Sequence, residues 1–251
     1  MLLPLEQKKV NSLSRIAAAV LGALLFLPLF HAQSIRPVIS EYVAKVAKGS
    51  FELVNPGLIP LNVILEPMSF SVSEKGDITY RPLDKSIQLK LSAMSFQIPP
   101  EQSYFVFYEA RPEVLPAWFV IYSSMGALRK NSAAMNIRLD LPHTVYILSK
   151  HSVEKSDILI SALGLTSDKA HYGFLVTNTS PWFGRVLSSE LIGKDGTTQG
   201  GGFPLFPQRS RIVEVPCKSN QAGTIFRLRL RNFKMEESMS ELKGSSMACD
   251  P

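Results

Sequence analysis

Short runs of alternating apolar and polar residues cover the chain from Val38 onward, and residues that favour turns separate them. Ile87–Leu91 (IQLKL) alternates strictly, and Ser50–Val54 (SFELV) alternates up to a turn at Asn55-Pro56-Gly57. A period of two places successive side chains on opposite faces of a strand, and proline and glycine favour the turns between strands. The pattern therefore predicts an all-β fold. Its other strands in the first half are Leu61–Glu66, Met68–Ser73, Gln102–Tyr108 and Ala117–Ser123, with a turn at Glu74–Asp77.

A second group of predicted strands follows a polar break at Ser149–Lys155 (SKHSVEK). Seventeen prolines and the lack of a twelve-residue amphipathic helix pattern favour β-sandwiches over a parallel sheet with helices. We expect Gly193–Gly202 to form a flexible hairpin loop. The predicted domains are residues 35–149 and 150–233, followed by a flexible tail at 234–251. The strands predicted in the second domain are Ile158–Leu163, Tyr172–Asn178, Arg185–Ile192, Ser210–Val215 and Ile225–Leu230.

The first 34 residues have the three parts of an export signal. Basic residues come first, the uncharged run Ile16–Phe30 follows, and Ala32-Gln33-Ser34 fits the small-x-small cleavage pattern. The apolar run is shorter than the roughly 18 residues that a membrane-spanning helix needs. We therefore predict a signal peptide cleaved before Ile35. Cleavage after Ala32 and an uncleaved membrane anchor are the alternatives.

Charge and cysteine content limit the classes of function. The chain carries a net charge of +6, about +4 of it outside the leader, and its basic residues are dispersed rather than clustered. This distribution argues against nucleic-acid binding. Cys217 and Cys249 are a candidate disulfide in an oxidising compartment, but two cysteines are too few to build a disulfide scaffold.

The sequence contains none of the local motifs that carry catalysis or metal binding. His143, His151 and His171 are isolated from cysteines and carboxylates, and HExxH, Cys-x-x-Cys and GxSxG patterns are absent. We therefore predict a non-enzymatic protein without a metal or other cofactor. A catalytic or metal site assembled only in space is the alternative.

One segment combines alternation with a candidate binding role. In Ala133–Leu141 (AAMNIRLDL), four apolar side chains leave the same face of one strand because they are two residues apart. The segment is either a half-buried sandwich strand or an edge strand lent to a partner by β-strand addition. The four apolar residues are Met135, Ile137, Leu139 and Leu141.

Several spaced segments together resemble the periplasmic pilus-assembly chaperones of the chaperone–usher pathway. In the first half, Met135–Ile147 occupies the place of that family's final strand of the first domain. The other segments that carry the resemblance are Val54-Asn55-Pro56-Gly57, Met94–Val106 (MSFQIPPEQSYFV), Ala117–Tyr122, Phe174–Phe183 (FLVTNTSPWF) and Phe203–Val215 (FPLFPQRSRIVEV).

The resemblance implies two immunoglobulin-like sandwiches set at an angle, with a cleft between them. It implies a periplasmic protein whose partners are incomplete pilus or fimbrial subunits and an outer-membrane usher, without nucleic acid or a small-molecule substrate. The final strand of the first domain would fill the groove of a subunit that lacks a strand. The donor residues would be Met135, Ile137, Leu139 and Leu141. An immunoglobulin-like interaction or scaffold protein of the cell envelope, without subunit shuttling, is the alternative.

The chain departs from the family at the two cations that anchor the subunit's terminal carboxylate. Alignment on Asn55 places Ile39 near the first of these positions, and alignment on Val145–Ile147 places Thr144 near the second. Neither residue carries a charge. The basic residues nearby in sequence, and therefore the candidate cleft cations, are Arg36, Lys45, Lys48 and Lys150.

Overall fold

Strands dominate the computed structural model, which describes residues 32–127, 138–167, 170–193, 196–216 and 225–239. A single 3-10 turn at Lys155–Asp157 is the only helical element in those ranges, and they contain no helix long and apolar enough to cross a membrane. The predicted all-β class is confirmed. Residues 1–31 of the predicted signal peptide lie outside the described residues, as do Met135, Ile137, Cys217 and Cys249.

Two facing sheets form the first half of the chain. One has the strand order β1-β3-β8-β6, and the other has the order β2-β10-β9-β4-β5 with β7 also on β4. Apolar side chains from both sheets meet in one core, in which Phe51, Phe119, Ile121 and Ile147 are fully buried. The strands are β1 Ser34–Arg36, β2 Ile39–Val43, β3 Ala47–Asn55, β4 Leu61–Val72, β5 Ile78–Pro82, β6 Ile87–Leu91, β7 Ser95–Ile98, β8 Gln102–Pro112, β9 Ala117–Ala127 and β10 Arg138–Leu148.

A second pair of sheets forms the second half around a core of its own. The strand orders are β11-β12-β16 and β14-β13-β17-β18, with β15 also on β13. Phe174 and Phe226 stack at the centre of this core, with ring centroids 3.7 Å apart. The strands are β11 Ile158–Leu165, β12 His171–Asn178, β13 Gly184–Gly193, β14 Gly196–Gly200, β15 Phe203–Leu205, β16 Arg209–Pro216, β17 Ile225–Leu230 and β18 Lys234–Ser238.

The C-terminal part of the chain corrects one expectation. Residues 234–239 do not belong to a flexible tail, because Lys234–Ser238 forms β18 on the edge of a sheet and both Met235 and Met239 are 3% exposed. Two buried methionines are enough to fix this segment against the second core, although the residues between them are polar. The last strand of the first half ends at Leu148. The domain boundary between residues 149 and 150 stays a prediction.

Two stretches of the chain have more regular structure than the sequence predicts. Leu61–Val72 is one strand rather than two. The glycine-rich stretch expected to be a flexible loop instead contributes β14, which pairs with the end of β13 through Thr197 and Ile192. Glycine lowers strand propensity, but pairing with a neighbouring strand outweighs that preference here.

Buried asparagines organise the same kind of loop in both halves. Asn55, at the end of β3, donates hydrogen bonds from Nδ2 to three backbone carbonyls, at Ile59, Ile98 and Pro99. Asn178, at the end of β12, donates from Nδ2 to Trp182 O at 2.7 Å and to Phe206 O at 3.1 Å. Both side chains are 0% exposed. Each amide therefore satisfies carbonyl groups that burial has removed from water.

Replacing Asn178 with alanine is expected to lower the free energy of unfolding by about 2–4 kcal/mol, because it leaves several buried carbonyls without a donor. Urea unfolding followed by tryptophan fluorescence measures this change. Asn62→Ala is the matched control, since Asn62 is exposed on β4 and its loss should change the unfolding free energy by less than about 0.5 kcal/mol. Equal losses in the two variants would contradict the bonding role of Asn178.

A series of hydrogen bonds between buried side chains crosses the first core. His143 is 0% exposed, and its Nδ1 lies 2.7 Å from the carbonyl oxygen of Pro37. Nδ1 must therefore carry the proton, and Nε2 accepts from the Tyr108 hydroxyl at 3.2 Å. Tyr42 then donates its hydroxyl proton to Tyr108 over 2.8 Å. These hydrogen bonds hold β2, β8 and β10 together, and His143 is in its neutral form.

The neutral His143 makes stability depend on pH. Burial lowers the pKa of His143 below its ordinary value of 6.5, so the unfolded chain binds the proton more tightly than the folded one. The stability that this histidine contributes is complete above about pH 6.5 and is lost as the pH falls below that value, by up to about 1.4 kcal/mol per pH unit. Urea unfolding between pH 7.5 and 5 measures the slope.

His143→Gln should flatten this slope, because the substituted side chain does not titrate. His151→Gln is the control: His151 is an exposed residue that stacks on Trp182 with ring centroids 4.9 Å apart, and its replacement should leave the slope unchanged. A His143→Gln variant with the full wild-type slope would show that another group causes the pH dependence.

Candidate functional site

Strand β10 has neighbours on both sides over only part of its length. Its whole length pairs with β9, from Arg138 opposite Gly126 to Ile147 opposite Ala117. On the other side, β2 pairs in parallel with Thr144–Leu148 alone. Among the residues that the structure describes, Arg138–His143 therefore has no strand on this side. It presents an unpaired edge, with backbone groups available for another strand.

The two faces of this edge segment differ in chemistry. Leu139 and Leu141 are half-buried and lie on the same face as Val145 and Ile147, which fill the first core. Leu141 packs against the margin of that core. Of the predicted donor residues, these two lie in the described part of β10, and Met135 and Ile137 lie outside the described residues.

Polar side chains on the opposite face tie the edge segment to β9. The Ser124 hydroxyl donates to Asp140 Oδ1 over 2.5 Å, and Arg138 Nε donates to the same oxygen over 2.9 Å. The Ser124 hydrogen bond, followed by that of Arg138, lowers the pKa of Asp140. The carboxylate therefore stays charged at neutral pH, and the network holds β10 on β9 while its other edge stays unpaired.

The two positions at which the resemblance implies a cation pair are neighbours in the structure. Thr144 on β10 and Ile39 on β2 are direct cross-strand partners. Ile39 is 48% exposed, so the pair lies at a surface. Neither residue of the pair carries a charge.

The four candidate cleft cations lie in different places. Arg36 is on β1, opposite Glu52 of β3, and Lys45 is exposed in the turn between β2 and β3. Lys48 forms an ion pair with Glu109 at 3.1 Å on the other sheet of the first half.

Lys150, directly after β10, lines a cavity between the two halves of the chain. The structure therefore places one of the four, Lys150, at that boundary.

An aromatic cluster joins the two halves. Tyr146, on the outward face of β10, has its ring centroid 4.9 Å from that of Phe183 in the second half. Trp118 on β9 contacts Phe206 at 4.7 Å between ring centroids and donates its Nε1–H to Phe70 O over 2.9 Å. Phe70, Tyr146, Phe183 and Phe206 are all buried. Such burial fixes the two halves relative to each other beside β10.

Ion pairs flank this cluster on one side. Glu41 on β2 accepts from Arg185 Nε on β13 and from Arg231 over 2.7 Å. The Arg185 guanidinium lies over the rings of Tyr146 and Phe183, at 4.8 and 5.6 Å from their centroids. Burial raises the pKa of the Tyr146 hydroxyl, so the ring stays neutral below the guanidinium. Sequence reasoning did not find Glu41, Arg185 or Arg231.

The turn between β4 and β5 contacts the second half on the other side of the cluster. The Ile212 backbone N–H donates to Glu74 O over 2.7 Å. Gly76 has a φ of 99°, and a Cβ on it would lie 2.0 Å from Arg211 Nη1. The turn conformation therefore favours glycine, and a side chain at this position would also displace the Arg211 guanidinium.

Comparison with solved structures identifies the architecture. The protein is similar to the YadV chaperone, with a TM-score of 0.53 and 10% identity over 83% of this chain and 100% of that chain. It is similar to the class 5 fimbriae chaperone CfaA, with a TM-score of 0.52 and 7% identity over 82% and 98% of the two chains. The chain has the two-domain β fold of the pilus chaperones.

A third similarity agrees with this fold. A chain of the Salmonella enterica complex of the SafA pilin with the SafB chaperone matches with a TM-score of 0.50 and 11% identity, over 84% of this chain and 98% of that chain. No family model matches the sequence, and no curated protein matches it significantly. The resemblance inferred from spaced sequence motifs is thus confirmed at the level of the fold.

Proposed function

We propose that this protein is a periplasmic chaperone that binds incomplete pilus or fimbrial subunits by donating the edge of β10, and that delivers them to an outer-membrane usher. The observation that carries the proposal is the unpaired edge Arg138–His143 on a strand that is otherwise held on both sides. The two-domain fold that it shares with pilus chaperones supports the same function.

The edge has what strand donation requires. Its backbone N–H and C=O groups can form the hydrogen bonds of a new β-ladder, which supply affinity without regard to sequence. Leu139 and Leu141 add apolar side chains two residues apart, and these would enter a groove in the subunit. The donor row would continue through Ile137 and Met135.

The rest of the structure supports a role as a rigid donor. The Ser124–Asp140–Arg138 network fixes the outward face of β10, and the aromatic cluster with Tyr146 fixes the strand between the two halves. A strand held in this way loses little conformational entropy when a partner binds, and such preorganisation increases affinity. This role is one of binding, without catalysis.

Leu139→Asn tests the donation. The change removes apolar burial worth about 1.5–3 kcal/mol from the complex, so affinity for a fimbrial subunit that the wild-type protein captures should fall about tenfold to a hundredfold. Affinity is measured by co-expression and by titration of the purified chaperone against refolding subunit. Amide hydrogen exchange should show new protection at Arg138–Leu141 in the complex.

Leu159→Asn is the matched control, because Leu159 is a 57% exposed leucine on β11, an edge strand of the second half. It should bind subunits as the wild type does. Thermal melting of both variants excludes loss of folding as the cause. Equal binding by the Leu139→Asn variant and the wild type, with no protection of the β10 edge, would contradict strand donation and favour an interaction protein of the cell envelope.

A further inference from the structure

Strand β11 is an edge strand without the usual protection against pairing. Among the residues that the structure describes, it is the end strand of the order β11-β12-β16 and pairs with β12 alone. Its eight residues, Ile158–Leu165 (ILISALGL), include neither a charged residue nor a proline, which are the residues that commonly keep edge strands from pairing. The end strands β5, β6, β16 and β18 all contain charged residues. The free edge of β11 is therefore suited to another strand.

Apolar side chains lie on both faces of β11. Ile158 and Ala162 are buried in the second core, and Ile160 packs against it. On the opposite face, Leu159 and Leu163 are 57% and 51% exposed. Two such leucines on one uncharged strand form an apolar surface, and covering this surface would be favourable.

The hydrogen bonds of β11 with β12 determine which of its backbone groups face the free edge. The Thr179 backbone N–H donates to Asp157 O over 2.8 Å, so Asp157 forms a hydrogen-bonded pair with β12. Such pairs alternate with non-hydrogen-bonded pairs along an antiparallel ladder, and the register is regular from Ile158 to Ala162. Every second residue therefore directs both its N–H and its C=O to the free edge. These residues are Ile158, Ile160 and Ala162.

We propose that β11 pairs with β11 of a second copy of this chain, antiparallel and about a twofold axis at Ile160. In this register Ile158 of each copy meets Ala162 of the other, and Ile160 meets itself, so every free backbone group of the regular segment finds a partner. The segment is thus complementary to itself, as a twofold interface requires. A bulge between Ala162 and Gly164 ends the regular edge, and β12 occupies the other edge, so association closes at two copies.

The outward side chains fit the same register. Leu159 lies opposite Ser161 of the second copy, and its diagonal neighbours there are Leu159 and Leu163, which a leucine can reach. Although the whole chain has a net charge of +6, pairing brings no like charges together because the strand is uncharged. A ladder this short buries less than the roughly 1,200–2,000 Å² of a stable interface. We therefore expect a reversible dimer with a dissociation constant in the micromolar range.

Sedimentation velocity and amide hydrogen exchange of the intact protein test the dimer. The sedimentation coefficient should rise with protein concentration and fall again on dilution. Over the same range the amides of Ile158, Ile160 and Ala162 should become more protected from exchange. The amides of Leu159 and Ser161, which bond to β12, should be protected at every concentration.

Ser161→Lys tests the edge at an exposed position. Two copies of the variant would bring two positive charges close to the twofold axis, so the dissociation constant of the dimer should rise at least about tenfold. Ser95→Lys is the matched control, because Ser95 is an exposed serine on β7 in the first half. The same charge there should change the dissociation constant less than about twofold. Thermal melting confirms that both variants are folded.

The inference goes beyond the proposed function and does not depend on strand donation. Leu159→Asn should weaken the dimer about tenfold or more, because it removes apolar burial from both copies, and it should capture subunits as the wild type does. Leu139→Asn should have the opposite pair of effects. Failure of one proposal is therefore distinguishable from failure of the other.

Three results would overturn the inference. One is a protein that stays monomeric at high concentration, whether its β11 amides exchange freely or are already protected by another part of the same chain. Another is a dimer that Ser161→Lys leaves unchanged, or in which the amides of Arg138–Leu141 rather than those of β11 gain protection. The third is a loss of subunit capture in the Ser161→Lys variant, which would assign the edge to a partner protein.

Discussion

Strand β10 sends alternate side chains into two different interiors, and the arrangement of both halves depends on this alternation. Val145 and Ile147 fill the first core, whereas Tyr146 between them joins the aromatic cluster with Phe183 and Phe206. A shift of one residue in register would place the tyrosine in the first core and the aliphatic side chains at the boundary. The register of β10 is therefore fixed by packing at its end. Because the strand is continuous, the same packing fixes the direction of Leu139 and Leu141 on the unpaired edge.

Much of the fold could be predicted wherever strands are half-buried, because burial on one face produces alternation. Ile87–Leu91 and Ile225–Leu230 have the predicted bounds, and the class of fold followed from many such segments. Strands without a buried face do not show this alternation of apolar and polar residues. Ile78–Pro82 is exposed at every residue, and it is held on β4 by backbone pairing and by contacts of Tyr80 with Phe70 and Tyr122 that alternation does not reveal. Strand β18 also escaped prediction, because Met235 is its one fully buried apolar residue.

The candidate site likewise has one part that the sequence predicts and another part that only the fold brings together. The apolar row that includes Leu139 and Leu141 is local in sequence, so its period was sufficient to find it. Glu41 and its two arginines are separated by 144 and 190 residues, and each alone resembles a charge on an ordinary strand. Their association depends on how the two halves meet. Motif alignment placed Ile39 and Thr144 at the two positions where the resemblance implies cations, and the structure pairs these residues. Only the fold shows that the positive charges of Lys150, Arg185 and Arg231 line the cavity beyond Leu148.

Asn178 has a consequence for how the protein can be produced. It begins the sequence Asn-Thr-Ser, which is an acceptor for N-linked glycans in eukaryotic secretion. In the folded protein, its side chain is 0% exposed and its Nδ2 is committed to backbone carbonyls. A glycan attached to that nitrogen before folding would replace one of its two donor hydrogens and would be too large for the interior. Glycosylation and folding at this residue therefore exclude each other, and a host that modifies the chain during translocation would trap it unfolded.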